Sequence, residues 1–107
     1  MSLSHKGAWA TQMKLHEQEI REFCQRHHIR RLAMFGSYVH GDQRPDSDLD
    51  VLVEFEDGHT PGFKFFEIEE ELSRIIGRKV DLNTPAFLSR FFRDEVLAEA
   101  QVMYAGP

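Results

Sequence analysis

Hydrophobic spacing along the chain switches between a helical and a strand period, and the switches mark its elements. Trp9, Met13, His16, Ile20, Phe23 and His27 recur at three- and four-residue steps. That spacing predicts an amphipathic helix ending near residue 28. Residues 29–35 form a short, mostly apolar run that stops at Gly36, which reads as a strand. Over residues 49–55 the period falls to two. Leu49, Val51, Val53 and Phe55 share one face, and Asp48, Asp50, Leu52 and Glu54 the other. Residues 58–62 read as a loop. Thr60–Pro61 then looks like a helix start, with Thr as the cap and Pro at the first helical position. Phe65, Ile68, Leu72 and Ile75 or Ile76 make the stripe of that helix, and Gly77 ends it. Residues 79–83 predict a strand with Val80 and Leu82 on one face and Asp81 on the other. Thr84–Pro85 starts helical structure again, to about residue 100 with a break near Ser89. Residues 101–104 give a last short strand. The order is α-β-(short α)-β-α-β-α-(β), an α/β (α+β) domain with one small sheet covered by helices.

Composition narrows the function classes. The 107 residues, 12.5 kDa, suit one hydrophobic core. Residues 1–10 read as a flexible tail and 11–107 as a single domain. Nine Phe, one Trp and two Tyr are enough to build that core. No stretch is long and apolar enough for a transmembrane helix or a signal peptide. Cys24 is the only cysteine, so disulfides and multi-cysteine zinc sites are excluded and a reducing cytoplasm is expected. A net charge of −5 argues against direct nucleic-acid binding as the main role.

The acids are concentrated. Asp42, Asp46, Asp48, Asp50, Glu54, Glu56 and Asp57 are accompanied by a single base, Arg44. A second run, Glu67 to Glu71, reads as a solvated helix face. Within the first run, Asp48 and Asp50 fall two apart at the head of a strand. They point to the same side, about 6.7 Å apart. Two carboxylates there repel unless a cation sits between them, and short oxygen arms suit Mg²⁺. Asp81 has the same parity on the next strand, so adjacent strands would bring three carboxylates together. A calcium loop starting at Asp46 does not fit. Its sixth position is Val51 where Gly is needed, and its twelfth is Asp57 where a bidentate Glu belongs.

Gly36–Ser37 follow the first strand directly. Gly36 lets backbone approach a ligand closely. Ser37 stands where a short helical turn over residues 38–41 would begin, and such an N-terminus favours phosphate oxygens. Ten residues separate Ser37 from Asp48. With Asp81 downstream, this spacing resembles the nucleotidyltransferase superfamily that includes DNA polymerase β. In detail, GSYVHGDQRPDSDLDVLVEF and KVDLNTP resemble the minimal nucleotidyltransferase (MNT) family. The likeness extends from the end of the first helix to Tyr104.

The resemblance implies a small mixed sheet with flanking helices, the palm-like nucleotidyltransferase fold. It implies that Gly36 and Ser37 hold the triphosphate of ATP and that Asp48, Asp50 and Asp81 hold two Mg²⁺ ions. Asp48 and Asp50 would hold the ion that bridges the phosphates. Asp81 would help hold the second, or take the proton of the attacking hydroxyl. Family members usually read Gly-Ser-x-Ala-Arg-Gly, whereas this chain has Val39–His40. His40, or Arg44, would then face the phosphates in place of the usual Arg.

At this size little chain remains for a small-molecule pocket, so the acceptor is expected to be a protein docking over an open site. The resemblance implies an antitoxin role in a hetero-oligomer with a HEPN-domain ribonuclease toxin, with AMP transferred to a toxin tyrosine. The sequence leaves two other readings open: an antitoxin that masks its toxin without catalysis, and a small-molecule nucleotidyltransferase. Cys24 reads as core. His27–His28 lack spaced carboxylate or cysteine partners for zinc. Phe63, Phe65, Phe66, Phe87, Phe91 and Phe92 read mostly as packing, with some left for a partner surface.

Overall fold

The computed structural model describes residues 16–36, 48–88 and 90–106. Trp9, Met13, Ser37, the turn over 38–41 with His40, Arg44, and the tail over 1–10 lie outside the described residues. Helix α1 covers Glu17–Arg26, β1 Ile29–Met34, β2 Leu49–Phe55, α2 Phe65–Ile76, β3 Val80–Asn83, α3 Arg90–Glu99 and β4 Gln101–Ala105. Short 3₁₀ turns lie at Gly62–Lys64 and Pro85–Phe87. No helix among the described residues is long and apolar enough to cross a membrane.

The sheet is mixed, with strand order β3-β2-β1-β4. β1 runs antiparallel to both β2 and β4, and β2 runs parallel to β3. The parallel pair follows from the α2 crossover that joins β2 to β3. The core lies on one face. Ile20, Phe23 and Cys24 of α1 and Ile68, Leu72 and Ile76 of α2 pack on Leu32, Met34, Val51, Val53, Val80 and Leu82 of the strands. Val51, Val53, Val80 and Leu82 belong to the alternating sets read from the sequence, and Leu32 and Met34 come from the apolar run of β1. Leu52, on the other face with its cross-strand partner Ala33, is also buried. Burial pushes the Cys24 thiol up to about 12, so the group stays protonated and is no nucleophile.

Thr60 does not cap α2. The chain passes through the Gly62–Lys64 turn first, and no side chain caps either the turn or the helix. Gly62 has φ +63°, which a right-handed helix starting at Pro61 cannot contain. The end of α2 agrees with expectation. Gly77 is left-handed at φ +78°, and the Gly77 and Arg78 amides both donate to the Ser73 carbonyl. The predicted break before α3 falls at Leu88, which is extended at ψ 141°.

The Glu67–Glu71 run, expected to be a solvated face, also makes tertiary contacts. Glu71 ties α2 to the end of α1. Arg26 Nη2 lies 2.6 Å from one carboxylate oxygen and His27 Nε2 lies 3.0 Å from the other. Burial works against the Glu71 carboxylate. The hydrogen bonds and charges of His27 and Arg26 outweigh it and hold the group below the usual range. A depressed folded value contributes stability that is full above the unfolded value and fades as pH falls through the folded one. Glu71→Gln is therefore expected to lower stability by about 1 kcal/mol near neutral pH. The difference from the parent should shrink below about pH 4, as the parent carboxylate also protonates. Denaturant midpoints for both proteins at pH 7 and pH 3.5 measure this, and equal midpoints at pH 7 would remove Glu71 from the joint.

Glu69 and Ser73 hold β3. The Leu82 amide donates to Glu69 Oε2 at 2.8 Å, and the Val80 amide donates to Ser73 Oγ at 3.0 Å. Ser73 Oγ in turn donates to the Glu69 carbonyl at 2.9 Å. β3 is an edge strand, and these outward amides would otherwise lack a ladder partner.

The phenylalanines between positions 63 and 92, expected mostly to pack, are mostly at the surface. Phe65 packs partly against the core, but Phe63, Phe66, Phe87 and Phe91 are exposed. Phe65 meets Phe66 and Phe87 edge-on, with ring centroids 6.0 and 5.6 Å apart. The Phe92 side chain lies outside the described residues.

Candidate active site

The parallel pairing of β2 with β3 places Asp50 directly opposite Asp81. The pairing opens with the Leu49 amide donating to the Lys79 carbonyl at 2.9 Å. Asp48 immediately precedes β2, two residues from Asp50 and on the same side of the strand. The three acids therefore share the sheet face away from the α1–α2 core. Asp48 and Asp81 are exposed and Asp50 is half-buried. Burial, then the charge of Asp81, then that of Asp48, raises the Asp50 carboxyl above its ordinary value. The fold holds like charges together on this face and partly buries one of them, and Asp50 bears both costs.

Gly36 shapes this site from β1. The Phe35 amide donates to the Asp50 carbonyl at 3.0 Å, which brings the turn after β1 alongside β2. Gly36 is left-handed at φ +76°. A Cβ placed there would overlap Asp50 Oδ2 and lie 3.2 Å from its Cγ. The close approach that needs glycine is thus to the Asp50 carboxylate. Lys79 was not singled out from the sequence. Its Nζ lies 3.8 Å from Asp48 Oδ2, on a mostly exposed arm whose pairing contributes little stability. Glu69 and Ser73 were missed as well. They act one step back, by fixing the strand that carries Asp81. The spacing that could have found them is i, i+4 on the helix leading into β3.

The donor set fits a hard dication. All three side chains offer carboxylate oxygens only, and a cation between them would offset the burial and the like charges that raise Asp50. Ser37, His40 and Arg44 lie outside the described residues, so their placement relative to the acids rests on the sequence.

The nucleotidyltransferase domain family matches residues 17–103. A protein adenylyltransferase, MntA, of Thermococcus cleftensis is 41% identical over 85 residues, covering 78% of this chain and 81% of that protein. The fold is shared with a solved structure assigned as a minimal nucleotidyltransferase, at TM-score 0.68 and 34% identity, over 81% of this chain and 88% of that one. It is shared too with a chain of the complex between the tri-AMPylated Shewanella oneidensis HEPN toxin and MNT antitoxin. There the TM-score is 0.60 and the identity 19%, over 88% and 73% of the two chains. The face-sharing aspartates on parallel strands, the glycine beside them and these likenesses agree: the chain belongs to the nucleotidyltransferase domain family, as one of its minimal nucleotidyltransferases.

Proposed function

We propose that the protein is an antitoxin that transfers AMP from ATP to a tyrosine hydroxyl of a HEPN-domain toxin, using Asp48, Asp50 and Asp81. The observation that carries this reading is the register of Asp50 against Asp81, with Asp48 beside them and Gly36 leaving room for the Asp50 carboxylate. In the reaction the acceptor oxygen bonds to the α-phosphorus of ATP, the bond to the β-phosphate oxygen breaks, and pyrophosphate leaves. Asp48 and Asp50 would hold one Mg²⁺, and Asp81 with Asp50 a second. The ions supply the positive charge that an acidic protein cannot offer to the phosphates. Alternatively Asp81, exposed at the site's edge, would accept the proton of the incoming hydroxyl. Ser37, with His40 or Arg44, would take the β- and γ-phosphate oxygens.

A macromolecular acceptor suits a carboxylate cluster with two exposed members. The tri-AMPylated toxin in the Shewanella complex and the adenylyltransferase name of the Thermococcus relative support the same chemistry here. The cytoplasm is the matching compartment.

The test is to mix the protein with ATP, Mg²⁺ and the HEPN protein from the same source, and to follow the toxin by mass spectrometry. The toxin should gain AMP on tyrosine. The Asp81→Asn variant should still co-purify with the toxin and fail to modify it, because docking rests on apolar surface outside the carboxylates. Loss of the complex in Asp81→Asn would favour masking without catalysis.

A further inference from the structure

Outside the carboxylate site, three ligating side chains meet at the other end of the sheet. His28 ends the turn after α1, and Glu56 and His59 follow β2. One ligand atom from each lies within 4.8 Å of the other two. His28 Nδ1 is 3.8 Å from Glu56 Oε1, and the His28 and His59 rings stack with centroids 3.9 Å apart. We propose that His28, Glu56 and His59 form a binding site for a zinc-class divalent cation, separate from the nucleotidyl-transfer site.

The backbone brings these residues together. His28 is the one non-glycine residue with positive φ among the described residues, at +56°. A β-carbon in that region is strained, and the conformation persists where surroundings enforce it. Here the Glu56 amide donates to the His28 carbonyl at 2.8 Å, and the next residues pair as Ile29 with Phe55. The His59 amide donates to the Glu56 carbonyl at 3.0 Å, around a turn in which Gly58 is left-handed at φ +80°. All three side chains thus spring from one hydrogen-bonded strand end.

The donor chemistry selects the ion. Two imidazoles and one carboxylate suit Zn²⁺ and its neighbours, whereas Mg²⁺ and Ca²⁺ favour all-oxygen sets. Three protein ligands leave a fourth tetrahedral position for water. Tetrahedral ligands about 2.0–2.1 Å from zinc are roughly 3.4 Å apart. Closing the present spread needs a shift of about 1 Å at each side-chain tip, with the rings swinging out of their stack so that the ion lies in both ring planes. All three residues are exposed, so the swing gives up the His28–His59 stack and moves the side-chain tips through solvent. From Asp50 to Glu56 is six residues of strand, about 20 Å, so an ion here cannot reach the transferred phosphate. It would instead pin the β1–β2 end to the turn before α2.

The experiment is calorimetric titration of the full chain with ZnCl₂ under saturating Mg²⁺. The parent carries Asp48→Asn and Asp50→Asn, so that the aspartate cluster takes no zinc. His28→Asn and His59→Gln are then added singly. Asn is chosen at position 28 because it tolerates the left-handed backbone. The expected result is one zinc equivalent bound at micromolar Kd by the parent, weakened tenfold or more in each His variant. No micromolar zinc step in the parent, or unchanged affinity in both variants, overturns the proposal.

Discussion

Asp50→Asn is expected to lower AMP transfer by about 10³-fold or more and, at the same time, to make the metal-free protein more stable. The loss follows from the position of Asp50. It is the half-buried member of the cluster, flanked by Asp48 on its own strand and facing Asp81 across the pairing. An amide keeps the shape but cannot offer an anionic oxygen to a dication, and a phosphoryl-transfer metal contributes several kcal/mol at the transition state. Each 1.36 kcal/mol is a factor of ten in rate. The stability gain follows from the raised Asp50 carboxyl. A folded value above the unfolded one means that the native state binds more protons between the two values, so stability falls as pH rises through that window. At neutral pH the ionised group therefore opposes folding when no cation is present. Removing it should contribute about 0.5–1 kcal/mol, the scale of relieving unfavourable surface charge. For a chain of this size that is a rise in Tm of about 2–6 °C in EDTA. Mg²⁺ should then raise the Tm of the parent more than that of the variant. Thermal melts with EDTA and with Mg²⁺, beside mass-spectrometric turnover, measure both halves. A variant that lost stability in EDTA would show Asp50 to be structural instead of charged by design.

Gly36→Ala should reduce transfer by about 100-fold. Two effects add at this position. The left-handed φ of +76° charges any β-carbon about 1–2 kcal/mol. The new methyl would also overlap Asp50 Oδ2, so either the carboxylate or the turn has to move. A displacement of about 1 Å in a positioned group costs rate on the order of 100-fold. Gly58→Ala separates the two effects. Gly58 has φ +80°, and a β-carbon there meets nothing within 4 Å. Both variants should lose the stability that the left-handed backbone costs, Gly36→Ala somewhat more through the overlap with Asp50, while Gly36→Ala alone loses transfer. Equal turnover in the two would place the glycine requirement in the backbone and leave Asp50 untouched.

Much of this was legible along the chain because it depends on period. The alternation of Leu49, Val51 and Val53 with Asp48, Asp50 and Leu52 assigned faces to β2 before any pairing was known. The parity of Asp81 against Val80 and Leu82 did the same for β3. What alternation cannot say is which strands are neighbours, and the Asp50–Asp81 register comes only from the parallel pairing across α2. Long-range side-chain joints were also out of reach. Glu69 and Glu71 look alike in a run of glutamates, yet one holds a strand amide and the other bridges two helices. Thr60–Pro61 carried a good helix-start signal that the left-handed Gly62 overrode. His28 and His59 are 31 positions apart in sequence and stack only because β1 and β2 share an end.

The hold of Glu69 and Ser73 on Leu82 and Val80 bears on how copies of this protein behave when crowded. A sheet grows by offering unpaired amides to another chain. At β3 two of those donors already point into α2, so that border accepts no visitor strand. β4 forms the opposite border. Two molecules that met along β4 would leave outside, among the described residues, only the blocked β3 borders. Among the described residues such pairing would halt at two, a chemical ceiling on fibre growth through this sheet.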